Sequence, residues 1–151
     1  MQFSTSAILA LLVASAHAWE ITAYDNDKKC EANGDTRYRV ISGAPNDNKC
    51  FTFGETMPGT SCTEFQKGGG TFGPCTGDNL VPRSIFQEAS RCVVFDQPGC
   101  HGRFADQNGG RGCGNIEDHG WGTIKSFWCM GFIIAICRAR KVAGDHEPID
   151  V

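Results

Sequence analysis

The sequence predicts an all-β fold, a two-sheet sandwich stapled by about four disulfides. Three observations carry this. Apolar and polar residues alternate over short stretches such as Trp19-Glu20-Ile21-Thr22-Ala23-Tyr24, the period of a strand with one buried face. No long window keeps a helical period without a glycine or proline to break it. Nine cysteines (Cys30, Cys50, Cys62, Cys75, Cys92, Cys100, Cys113, Cys129 and Cys137) follow an export leader, a density that reads as a disulfide framework in an oxidising compartment. Nine is odd, so one thiol stays free or pairs with another molecule. Four cysteines precede Leu80 and five follow it, which points to the second half for the odd one. The expected state is a monomer, with pairing through that cysteine as the exception.

Residues 1–18 are the leader. Their apolar stretch, 7–14 (AILALLVA), is too short to cross a bilayer. Ala16-His17-Ala18 has the small-x-small form of a signal-peptidase site, so the mature chain should begin at Trp19. The protein is therefore expected to be secreted, and no membrane partner is implied. Its 14 basic and 17 acidic side chains give a formal charge of −3. No basic block is present to track a phosphate backbone, which argues against nucleic acid as a partner.

Residues 19–141 should form one cysteine-rich β domain, followed by an exposed tail over 142–151. The first strand is 19–24, and Asp25 to Lys29 make a turn. Residues 38–42 and 50–53 supply two more strands around the loop 43–48 (GAPNDN). From Gly54 to Pro82 the sequence is rich in glycine and proline and reads as a connector pinned by Cys62 and Cys75. Within it Lys67-Gly68-Gly69-Gly70 lacks the G-K-[ST] ending of a phosphate-binding loop. Residues 84–89 (SIFQEA) suggest a short helical turn. Cys92-Val93-Val94-Phe95 is a strand by composition, and Asp96-Gln97-Pro98-Gly99 a turn. A Gly-rich polar loop then leads to a last strand, Phe127-Trp128-Cys129. The uncharged run 130–137 (MGFIIAIC) suits a central strand, or alternatively a partner patch.

Phe95, Cys100 and Gly102, with Trp121, Ile124 and Ser126, have the spacing of one Greek-key motif of the βγ-crystallin superfamily. The chain resembles that family over these residues, with cysteine in place of the second aromatic. Tyr24-Asp25 leading to Cys30 echoes Phe95-Asp96 leading to Cys100, a faint internal duplication. The resemblance implies a βγ-crystallin-like Greek-key sandwich of two halves, 19–54 and 91–137, joined by the connector.

Several members of that superfamily bind calcium through a stretch ending in [ST]-S. Here Lys125 precedes Ser126, and a cation at an oxygen-ligand position repels the ion. No metal or other cofactor is expected. Zinc would want close cysteine pairs; the nearest separations are eight residues, and only His101 beside Cys100 and His119 after Cys113 offer imidazoles nearby. No nucleophile motif accompanies Asp118-His119, so no enzyme is expected.

The whole profile is similar to small secreted cysteine-rich proteins of filamentous fungi. Such proteins often act as effectors that bind a host protein, either outside the host cell or after entering it. Protease inhibitors and antimicrobial killer toxins are the alternatives within the crystallin-like superfamily, though a toxin would more typically be basic. Arg103 and Arg111 are the candidate partner surface.

Overall fold

The computed structural model describes residues 19–44, 49–77, 80–88, 91–107 and 111–130. Residues 1–18, expected to be a leader, the run 131–137 with Cys137, and residues 142–151 with His146, expected to be a tail, lie outside them. Among the described residues ten strands form two antiparallel sheets. In chain order these are β1 (Trp19–Tyr24), β2 (Tyr38–Gly43), β3 (Phe51–Thr52), β4 (Thr60–Gln66), β5 (Thr71–Pro74), β6 (Ser84–Gln87), β7 (Arg91–Phe95), β8 (Phe104–Gln107), β9 (Gly112–Asn115) and β10 (Ser126–Met130). The six-stranded sheet runs β5-β4-β2-β1-β6-β9, and the four-stranded sheet β3-β10-β7-β8. The only helical pieces among the described residues are three 3-10 turns of three residues each.

The alternation in β1 is realised as expected: Trp19, Ile21 and Ala23 are buried, and their neighbours are partly exposed. Three sequence expectations are corrected. The stretch from Gly54 to Pro82 is no mere connector, because it carries β4 and β5, a hairpin that widens the larger sheet. Its strands are hard to read because few of their side chains are buried, so no apolar period marks them. Residues 84–87 are strand, not a helical turn: β6 pairs with β1, setting Ile85 opposite Ala23 in the core. The Gly-rich stretch after Cys100 contains β8 and β9.

Nor does each half keep to its own sheet. Strands β1, β2 and β6 lie together with β9 of the second half, and β7, β8 and β10 lie with β3 of the first. The two sheets thus contain the matching orders β2-β1-β6-β9 and β8-β7-β10-β3. Each half lends its third core strand to the other.

Four disulfides join Cys30 to Cys113, Cys50 to Cys100, Cys62 to Cys75 and Cys92 to Cys129. Two of them cross between the halves, so counting cysteines per half has no bearing on which is unpaired. The ninth cysteine, Cys137, lies outside the described residues.

Between the sheets Trp19, Phe51 and Phe127 meet with ring centroids 5.4–5.9 Å apart. Trp19 lies so close to β2 that a Cβ at Gly43 would fall inside its indole. Buried Gln87 accepts a hydrogen bond from the Cys92 N–H at 3.1 Å, satisfying both groups as the chain passes from one sheet to the other.

Candidate functional site

Two hairpins, one in each half, shape the ends of the sheets by the same hydrogen bonds. In the second half, Asp96 N–H donates to the Arg103 carbonyl at 3.1 Å, and Arg103 N–H donates back to Asp96 Oδ1 at 2.8 Å. In the first half, Asp25 and Arg37 make the same exchange, each bond 3.0 Å. Each hairpin is then held down by a fully buried serine. Ser126 Oγ donates to the Gln97 carbonyl at 2.5 Å and accepts from Cys100 N–H at 2.9 Å, while Ser84 Oγ donates to the Asn26 carbonyl at 2.8 Å. Sequence reading found Ser126 and missed Ser84. The available signal was a basic residue before each serine, Arg83-Ser84 and Lys125-Ser126, whose amides donate to the Tyr24 and Phe95 carbonyls at 2.8 Å.

The remaining fold-defining residues sit where this geometry needs them. Gly102 has φ +85°, and a Cβ there would collide with Asp96 and Gln97. Cys30 and Cys100 occupy the left-handed region, at φ 61° and 59°. Ile124 is core, and Phe95 pairs across strands with Phe104. Tyr24 stacks on Tyr38 at 5.2 Å; burial, then the neighbouring Tyr38, raises its phenol above the ordinary value against a Thr22 hydrogen bond.

Arg103 and Arg111 are both exposed but belong to separate patches. Arg103 Nε lies 2.7 Å from Asp96 Oδ2, and its guanidinium stands 6.0 Å from the Trp121 ring, which His119 flanks at 5.1 Å. The hydrogen bond from Arg103 holds the Asp96 carboxyl below its ordinary value, outweighing the smaller effect of burial. Exposed Phe104 follows directly in the chain. Arg111 instead faces Glu88 at 3.6 Å and stands 5.6 Å from the Phe86 ring on the larger sheet. A guanidinium laid on an aromatic at a polar rim is a grouping common among residues that dominate binding energies.

Among the described residues no three His, Cys, Asp or Glu side chains are grouped to hold a metal ion. Cys100 and Cys113, the cysteines nearest His101 and His119, are both in disulfides and have no thiolate to offer.

A family model described as "Secreted LysM effector LysM14, C-terminal domain" matches residues 19–130. No curated protein and no solved structure matches the chain.

Proposed function

The chain belongs to the family of the secreted LysM effector LysM14 C-terminal domain, and on that premise we propose that it is a fungal effector that works by binding a host protein. The match across residues 19–130 supports the effector role, and host-protein binding is our reading of how it acts. Four disulfides agree with it, since such bridges persist in oxidising, extracellular surroundings. The protein is extracellular. We read its role as non-enzymatic: the arginine and aromatic rim around Trp121 is suited to capture.

The fold reads further as βγ-crystallin-like. The reciprocal loan of β3 and β9, the two serine-held hairpins and the matched Asp–Arg exchanges support that reading. By this correspondence Arg83 and Lys125 occupy equivalent positions before the serines, so both halves would set a cation where the superfamily places a calcium ligand.

A strain lacking the gene tests the role. Reduced host colonisation with normal growth in culture is the expected result; normal colonisation would defeat it. Capture of host protein by the mature chain then tests the surface. Arg103→Ala and Arg111→Ala should leave the domain folded and lose roughly tenfold or more in affinity. Trp121→Ala should instead unfold the domain. Unchanged capture by both arginine variants would show that binding runs elsewhere.

A further inference from the structure

The larger sheet has two strands, β4 and β5, with no counterpart in the smaller one. Rows of core residues from β1 and β2 run on into them. Ile21 and Ile41 are continued by Cys62, and Ala23 by Arg39, Glu64 and Gly73. On this extended face a cleft of about 370 Å³ opens. Ile41 and the Cys62–Cys75 bridge line it, together with Met57 and Thr60 from the loop between β3 and β4. That volume falls within the range of small-molecule sites, about 300–1,000 Å³. A cavity of about 150 Å³ already holds one benzene ring, so this one has room for two.

One part of the lining is costly to build. The Arg39 side chain is 9% exposed, and its charge is met at 2.6 Å by Glu64, 5% exposed. Arg39 Nη2 also donates to the Thr76 carbonyl at 2.8 Å, which ties down the segment after β5. A buried ion pair adds little to stability over apolar residues of similar volume. Charged groups desolvated beside a partner in a cleft are instead a mark of binding sites.

Three features of the lining select a ligand. The Met57 thioether and the Arg39 guanidinium both favour an aromatic ring over a saturated one. Thr60 Oγ gives its one proton to the Met57 carbonyl at 2.8 Å, so toward a ligand it can only accept. Arg39 already has its counter-ion, and Glu55 is the other formal charge among the described lining residues. An anion would meet Glu55 without gaining an uncompensated cation. A cation would gain only exposed Glu55, a contact that salt screens.

We propose that this cleft binds an uncharged aromatic small molecule of two rings that carries a hydroxyl group. The rings lie against Met57 and Arg39, and the hydroxyl donates to Thr60 Oγ. The Cys62–Cys75 bridge and the bond from Arg39 to Thr76 hold the lining in place, so little freedom is lost on binding. A tyrosine side chain of a partner protein has the right chemistry but a single ring, and would leave much of the cleft unfilled. This site is separate from the arginine rim and does not depend on it.

The test is titration of the isotope-labelled mature protein with 2-naphthol, followed by NMR. Binding should saturate and should shift the amides of residues 54–60 and 75–77. The anion naphthoate, the saturated alcohol decalol and the single ring of p-cresol should each bind at least about tenfold more weakly. Thr60→Val should bring naphthol down to the affinity of its methyl ether, which has no proton to donate. Met57→Leu keeps the volume and should narrow the margin of naphthol over decalol. No saturable binding, shifts confined to other residues, or an unchanged margin in either variant would overturn the proposal. So would parity with any of the three comparison compounds; parity with p-cresol would make the occupant a protein tyrosine. No host is needed, so failure here leaves the effector role standing, and an absent deletion phenotype leaves this site standing.

Discussion

Arg39 and Glu64 face the interior where the larger sheet outruns the smaller one. A cleft of about 370 Å³ opens there, lined in part by Arg39, Met57 and the Cys62–Cys75 bridge. Both side chains are over nine-tenths buried, with Arg39 Nη2 2.6 Å from Glu64 Oε2 and donating to the Thr76 carbonyl at 2.8 Å. Removing one member would strand the other charge, so Arg39→Ala should cost about 3–5 kcal/mol in denaturant unfolding. Replacing both, as Arg39→Met with Glu64→Leu, should be close to neutral. Burial pushes the Glu64 carboxyl up, but hydrogen bonds from Arg39 and Gln66 and the nearby arginine charges outweigh it, and the net shift is downward. A depressed folded value means stability present above the unfolded pKa and lost as pH falls through the folded one. Asp96 and Asp106 shift the same way, through hydrogen bonds from Arg103 and Arg91 that outweigh burial. Both of those pairs have exposed arginines that salt screens. Glu64→Gln should therefore flatten part of the acid limb of melting temperature against pH, and the remaining slope should shrink in high salt.

At the scale of elements, the folded hairpins decide how each half is built. Ser84 and Ser126 are both 0% exposed and tie their hairpins to the sheets by the bonds described above. Alanine at either position removes hydrogen bonds to part-buried backbone groups, a loss of about 0.5–1.5 kcal/mol in equilibrium unfolding. Ser84→Ala should destabilise about as much as Ser126→Ala. If Ser84→Ala were silent, the equivalence of the two hairpins would be wrong. Ser126 is legible through the W-x-x-I-x-S spacing, whereas Ser84 lies in a segment without that tryptophan and looks helical by its neighbours. The β4–β5 hairpin is harder still to read, because its residues serve an edge and a cleft, not a continuous core.

Across the whole molecule the strand exchange is locked covalently. Cys30 and Cys100 stand in the two folded hairpins, and each is bridged to the strand lent by the opposite half, at Cys113 in β9 and Cys50 just before β3. Each bridge thus fixes a folded hairpin to a strand of the other half. Loop-closure entropy grows with the span of chain enclosed. With separations of 83 and 13 residues, removing Cys30–Cys113 should cost about 4.5 kcal/mol, against about 3 for Cys62–Cys75. Calorimetry of the two double-serine variants checks the order; the reverse order would mean that the exchanged strands are held chiefly by packing.

The sequence by itself determined the secretory character, the β class, and the strands β1, β2, β7 and β10. It did so because hydrophobic period, turn chemistry and cysteine density are local properties. It also carried the residues that set the second hairpin, from Phe95 to Ser126. Only the tertiary structure decided the partners: which strands cross between the halves, which cysteines meet, and that Arg103 lies against Trp121 while Arg111 lies against Phe86. A period of two fixes which face of a strand is buried and is silent about its neighbour, since any complementary strand satisfies the same backbone hydrogen bonds. Neighbours are chosen by the summed packing of Trp19, Phe51 and Phe127 and by four bridges that close at once, and that sum exists only in three dimensions.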